Sequence, residues 1–387
     1  MDLIGGMQQA HAALARSRDG EAQRIADAVR DQRIVGVLGE AEVGKTHTIR
    51  QGLGMLNSSA RVLYVDLDGA ASDDHVGFLF AKQVAKALLR GADLSLLSAG
   101  VLVPAGVEQR RNLLAEVLGV EGVEEALRDW PSGNYPSALA LRGVEALAEQ
   151  TELILWIDHV EAPRLTPRHP LKPDRLLWGL RELSQRHEGV HLLVSAREAA
   201  DDMIVGSRAA FHQLGLWLSL DCPTPAMWRE VADQLNVSPY TAHELASRTG
   251  GHPRTMLLAL ATLKLADGAW PSQADDVLAE LTAHDDGVAR RAVEHAQSLH
   301  RLGGQVLIQV ARAQRPYGAA QRGSSSPQEI SKVLARLRLA GLLRRTDRWA
   351  IVNPLVAIRA RGTAAEIPGS EDWETLAERP PLSLSQH

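Results

Sequence analysis

The 387-residue sequence has a single cysteine, Cys222, which rules out a disulfide within the chain. Its first residues, Met1-Asp2-Leu3-Ile4-Gly5-Gly6, lack the basic start and apolar run of a secretion signal. No uninterrupted apolar stretch approaches the roughly 20 residues that a membrane-spanning helix requires. These absences set the expectation of a cytoplasmic chain in a reducing compartment, with no membrane partner. None of the 14 histidines has metal-ligand spacing around it. Internal repeats and low-complexity tracts are missing, and lysine is scarce, six residues against 36 arginines. What is present, 45% apolar and 23% charged residues, is the composition of a globular chain long enough for two or three domains.

The net charge of −5 conceals an uneven distribution. Twelve basic residues fall between 300 and 361, against only Glu329 and Asp347, so that segment carries +10. The tail from Gly362 carries −4 and residues 1–299 carry −11, which makes the chain an acidic body with one basic module. Short apolar runs recur in the body: Arg33–Leu38, Val62–Asp66, Leu153–Asp158, Val190–Ser195 and, more weakly, Leu216–Leu220. Helical patterns lie among them at Val76–Leu89 and Asp174–Arg186, and one helix is expected over residues 8–31. Continuous apolar strands alternating with helices predict an α/β fold, a parallel sheet with helices on both faces. Residues 91–136 read as a helical insertion. After Pro223-Thr224-Pro225 the pattern turns helical (Trp228–Leu235, Ser238–Arg248, Arg254–Leu265), as in a small lid. The expected division is therefore 1–222 for the core, 223–298 for the lid, 299–361 for the basic module and 362–387 for a disordered acidic tail.

The run Gly39-Glu40-Ala41-Glu42-Val43-Gly44-Lys45-Thr46 has the form Gly-x4-Gly-Lys-Thr between a strand and a helix. Glycines let the backbone turn tightly enough for its N–H groups to converge on phosphate oxygens at a helix N-terminus. In this pattern Gly39 and Gly44 shape the loop, Lys45 reaches the β- and γ-phosphates, and Thr46 ligates Mg²⁺. That a rare lysine occupies the position needing a compact ammonium strengthens the reading. Glu40 and Glu42 are unusual beside phosphate and are expected to point outward. Leu153–Asp158 has the shape of the second acidic element of such sites, with Asp158 completing the Mg²⁺ shell. ATP and Mg²⁺ are the cofactors so implied.

This order of elements resembles the AAA+ and STAND branches of P-loop ATPases. The resemblance covers roughly residues 10–360. It implies that Ser195-Ala196-Arg197 ends the strand whose polar residue touches the γ-phosphate. It also implies that Ser207-Arg208 supplies an arginine finger, and that Gly250-Gly251-His252-Pro253-Arg254 opens the lid helix with a second phosphate-sensing arginine. A planar cation from a neighbouring copy suits phosphoryl transfer, so a homo-oligomer is implied. One departure stands out: His159 follows Asp158 where many relatives carry the glutamate that orients water. Glu161 and Asp66 are the nearby substitutes, and slow or regulated hydrolysis is expected.

The basic module suggests helices over Leu302–Ala313 and Gln328–Ala340, a turn around Tyr317–Gln321 and a hairpin to Ile351, the outline of a winged helix. Ile330, Val333, Leu334 and Leu337 then face inward. Lys332, Arg336 and Arg338 on the helix, with Arg344, Arg345 and Arg348 on the wing, are the residues expected to meet duplex DNA. Many such units in related ATPases dock proteins instead, so three functions remain open: an ATP-controlled DNA-binding switch, similar to origin-recognition initiators, transposition regulators or transcription regulators; an ATP-dependent scaffold for protein partners; and a nucleotide-binding structural subunit without turnover.

Overall fold

The structure, a computed structural model, describes residues 3–56, 60–68, 70, 76–77, 79–80, 83, 141, 143–145, 147–149, 151–165, 174–200, 209–265, 274–284, 286–312, 326–345 and 348–361. The expected insertion at 91–136, the turn at Tyr317–Gln321, the acidic tail, Arg208 and most of Val76–Leu89 lie outside these residues.

The chain opens with α1 (Leu3–Ser17) and α2 (Asp19–Asp31). The single helix expected over 8–31 is thus two, broken at Arg18, whose side chain is 2% exposed and donates to the Asp221 carbonyl at 2.7 Å. Next come β1 (Ile34–Gly39), α3 (Lys45–Gly54), β2 (Arg61–Asp66) and β3 (Leu153–Asp158). They are followed by α4 (Asp174–Arg186), β4 (Val190–Arg197) and β5 (Leu216–Ser219). The five strands pair in parallel in the order β2-β3-β4-β1-β5. Every residue of β1 and β3 is buried, as their unbroken apolar sequences require, whereas the edge strands β2 and β5 are partly exposed. One core lies between the sheet and α4, and the other lies between the sheet and α2 and α3.

Four helices follow: α5 (Pro225–Leu235), α6 (Pro239–Thr249), α7 (Pro253–Leu265) and α8 (Ala274–His284). Thr224 and Ser238 cap α5 and α6 by accepting from the backbone N–H three residues on, each with proline at the first helical position. Their core, around Trp228, Leu245 and Leu260, is completed by Ala10, Ala13 and Leu14 of α1. The C-terminal unit contains α9 (Asp286–Leu299), α10 (Gly303–Ala311), α11 (Pro327–Leu339), the antiparallel pair β6 (Leu343–Arg345) and β7 (Trp349–Ile351), and α12 (Pro354–Arg361). Ser326 caps α11 as the Ser-Pro sequence predicts. Ile330, Val333, Leu334 and Leu337 all enter the core of this unit. Among the described residues no helix is long and apolar enough to cross a membrane.

Candidate nucleotide site

Parallel pairing aligns the ends of the strands, with Gly39 opposite Arg197 and Asp66 opposite Asp158. Residues that are remote in sequence therefore meet at the carboxyl edge of the sheet, where α/β folds commonly bind ligands. The loop after β1 passes through Glu42 at φ 62° and Gly44 at φ 95° before α3 begins. The left-handed turn at Gly44 is one that a side chain would disfavour. It directs the first N–H groups of α3, which have no carbonyl a turn before them, into the loop.

Lys45 is buried, and its ammonium donates to the carbonyls of Gly39 at 2.9 Å and Glu40 at 2.8 Å. Burial pushes its pKa down to about 8; nearby Arg197 acts in the same sense, while Glu161, Asp158 and Glu40 oppose it. The Thr46 hydroxyl donates to Asp158 Oδ2 at 2.8 Å. Asp158 is fully buried and also accepts from Ser195 Oγ at 2.6 Å and from the Tyr64 hydroxyl at 3.3 Å. Trp156 Nε1 in turn donates to Ser195 Oγ at 2.9 Å. Burial, and then the adjacent Asp158 and Asp66, pushes the Tyr64 phenol up, so it stays a donor.

Past Asp158 the chain turns at His159, φ 55°, and the imidazole lies 2.9 Å from Asp66 Oδ1. That hydrogen bond, against the effect of burial, raises the His159 pKa. Glu161 is fully buried and faces Arg197, with Oε1 3.3 Å from Nε, and Oε2 accepts from the Arg197 N–H at 3.3 Å. Lys45, Thr46, Asp158, Glu161 and Arg197 are thus brought together. Arg254, at the start of α7, donates to Glu42 Oε1 at 3.2 Å. Glu42 is exposed, as expected, yet two further side chains, His252 and Asn353, also reach its carboxylate.

A hard hydroxyl and a single carboxylate suit a Mg²⁺ ion that takes its other ligands from phosphate and water. Glu161 Oε1 is buried and makes no hydrogen bond, but it is ion-paired with Arg197 Nε at 3.3 Å. No group of three acidic, histidine or cysteine ligands occurs among the described residues, so a cage made by protein alone is not on offer.

Two cavities adjoin the loop. One, of about 360 Å³, is bounded by Lys45, His159, Arg197 and Arg254 on the core and lid, and by Arg291, His295 and Gly341 of the C-terminal unit. The other, of about 200 Å³ and mainly apolar, lies beneath Met7, His11 and Leu14 of α1, Gly44 and His47, and Pro253 and Leu257 of α7. The C-terminal unit comes very close to the loop. Arg197 donates to the Leu339 carbonyl at 2.7 Å, and a Cβ on Gly341, φ 72°, would fall 2.5 Å from that of Ala41.

The six basic residues expected at DNA divide into two sets. Lys332, Arg345 and Arg348 are exposed, Arg336 is half-buried, and Arg345 stacks over Trp349. Arg338 and Arg344 instead face the phosphate loop. Burial, reinforced by Glu198, raises the Glu40 pKa, and these two arginines together with Lys45 oppose the rise. Their Nε atoms are buried without hydrogen-bond partners. Helical geometry accounts for the split, because residues four apart share a face whereas Arg336 and Arg338 are two apart and point in nearly opposite directions. Sequence reading missed Tyr64, Arg18 and Asn353, none of which belongs to a local pattern. Tyr64 alone carried a signal, two residues before the strand-ending Asp66.

No family model and no curated protein matches this sequence. Among solved structures, the Walker-type ATPase PABY2304 of Pyrococcus abyssi superposes with a TM-score of 0.57 at 12% identity, over 89% of this chain and 95% of that one. The ORC1 protein of Aeropyrum pernix in complex with DNA gives 0.47 at 13% identity, over 89% and 91%. CDC6P of Pyrobaculum aerophilum gives 0.43 at 11%, over 93% and 94%. At these identities the likeness is one of fold: the chain has the architecture of a Walker-type ATPase.

Proposed function

We propose that this Walker-type ATPase fold binds Mg²⁺-ATP and uses its nucleotide state to control a DNA-binding winged helix formed by residues 299–361, acting as an oligomer. The observation that carries the nucleotide half is the 2.8 Å bond between Thr46 and Asp158 beside the buried Lys45, at the N-terminus of α3. Lys45 would leave the carbonyls of Gly39 and Glu40 for the β- and γ-phosphates. Thr46 and Asp158 would hold the Mg²⁺, which neutralises phosphate charge when bound. The apolar cavity under α1 and α7 fits a purine base, with the phosphates running along the loop toward Arg197. Arg208 is assigned as the finger offered to a neighbouring copy.

Glu161 is the residue assigned to orient water. Its carboxylate is committed to Arg197, which is itself tied to Leu339. Arg197 turning to the terminal phosphate frees Glu161 and loosens the C-terminal unit in one movement, so turnover is slow until that unit shifts. For DNA, Lys332 and Arg336 form one helical face, with Arg345 and Arg348 on the hairpin beside them. Phosphate neutralisation by such a set gives salt-sensitive association with little sequence dependence.

A second reading, an ATP-dependent scaffold for protein partners, is favoured by one observation: Arg338 and Arg344 are half-buried and lie near enough to Glu40 of the phosphate loop to act on its carboxyl. The deciding experiment is duplex-DNA binding measured with ATP, with ADP and without nucleotide, over a range of salt. Affinity that changes with nucleotide and falls steeply with salt supports the switch, while absence of DNA binding in all three conditions selects the scaffold.

A further inference from the structure

Glu42 occupies an unfavourable place for a carboxylate. It lies inside the phosphate loop in left-handed backbone, a conformation that residues with a Cβ keep only where their surroundings enforce it. The enforcement comes from two other units. Arg254 of α7 donates to Oε1 at 3.2 Å, and His252, just before that helix and 2% exposed, places Nε2 3.2 Å from Oε2. From the far end of the chain, Asn353 donates to Oε2 at 3.4 Å. Burial pushes the Glu42 carboxyl up, but the facing His252 imidazole and the Arg254 charge outweigh it and hold the carboxyl below its ordinary value. Glu42 is therefore a charged tether joining the loop, the lid and the C-terminal unit.

Its position relative to the cavities gives the tether a consequence. Glu42 and Arg254 line both the apolar cavity and the larger cavity beside Lys45 and Arg197. A nucleotide with its base in the first and its terminal phosphate in the second must run its phosphate chain past this pair. Phosphate oxygens and the Glu42 carboxylate then compete for the same cation, and the carboxylate repels the incoming charge.

We propose that Glu42 is an affinity-setting residue that occupies Arg254 in place of phosphate, so that ATP binds by displacing it and in doing so breaks the link to His252 and Asn353. This rests on the nucleotide reading above. It adds that the loop carries its own competitor, and that part of the binding energy is spent on freeing the lid and the C-terminal segment. The competitor weighs more on triphosphate than on diphosphate, because the longer chain brings more negative charge past the Glu42 carboxylate.

The test uses the full-length chain and titrates ATP and ADP with magnesium against wild type, Glu42→Gln, Glu42→Gly and Lys45→Ala, with thermal unfolding confirming that each is folded. Glu42→Gln keeps the size and removes the charge, and it is expected to tighten ATP binding at least tenfold while tightening ADP binding less. Glu42→Gly, which suits the backbone at this position, is expected to do the same and carries the test should the glutamine variant misfold. Equal or weaker ATP binding in the folded variant overturns the competitor role. Failure of the wild-type chain and both Glu42 variants to bind ATP, or binding unaffected by Lys45→Ala, overturns the nucleotide reading instead. The two failures are thus distinguishable.

Discussion

The carboxyl edge of the sheet and the C-terminal unit use polar residues in opposite ways. At the sheet edge, side chains from β2, β3, β4 and the loop after β1 converge. Asp158 alone accepts from Thr46, Ser195 and Tyr64. In the C-terminal unit the cations diverge: Arg301 pairs with Glu329, Arg345 covers Trp349, and Arg338 and Arg344 turn to the phosphate loop. A formal charge of +10 is therefore a poor measure of what a partner meets, because charges within the segment are already engaged inside the molecule. Convergence is the better guide to chemistry, since buried polar groups that satisfy one another from remote segments are costly to assemble by chance.

The contrast can be broken most sharply at Lys45. Lys45→Ala should weaken ATP binding by about 100-fold or more, the loss of a charge-assisted contact to phosphate. It should leave the chain folded but with a lower unfolding temperature, because two loop carbonyls lose their donor and the buried Asp158 and Glu161 lose a neighbouring cation. A thermal-shift titration with ATP reads both quantities. Next in size is the division of the basic set. Reversing Lys332 and Arg336 to glutamate should lower duplex-DNA affinity by roughly tenfold or more and flatten the salt slope by about 2. Arg338→Gln with Arg344→Gln should change that affinity only about twofold, as both are half-buried beside the phosphate loop. Fluorescence anisotropy at several salt concentrations would separate them, and equal losses from the two pairs would refute the division.

A smaller effect is expected where the two regions touch. Gly341→Val places a branched side chain in left-handed backbone against Ala41, and about 1–3 kcal/mol of stability should be lost in denaturant titration. Proteolysis between the C-terminal unit and the lid should become faster. The smallest change belongs to Arg345→Ala, which removes the stacking over Trp349 and should cost no more than about 0.5–1 kcal/mol.

The elements at this sheet edge differ in how much of them could be read without a structure. The phosphate loop is contiguous, so its glycines, lysine and threonine announce themselves together. The strands β1 and β3, buried on both faces, are unbroken apolar words, and their terminal residues point to the edge where Asp158 and Arg197 meet. What could not be read depends on packing between distant segments: Glu42 with His252 and Asn353, and Arg197 with Leu339. The break at Arg18 escaped for the same reason, since the inward turn of one arginine among 36 leaves no periodic trace. His159 was visible as a departure, but its partnership with Asp66 required the pairing of β2 with β3.

The placement of α1 bears on how the chain reaches this state. Its buried face, Ala10, Ala13 and Leu14, belongs to the core built by α5, α6 and α7. During synthesis α1 is thus left without α7 until residues 253–265 have emerged, and contacts so distant in sequence form slowly. An amphipathic segment waiting that long is a natural client for holding chaperones, and shortening the N-terminus would leave the face of α7 permanently bare.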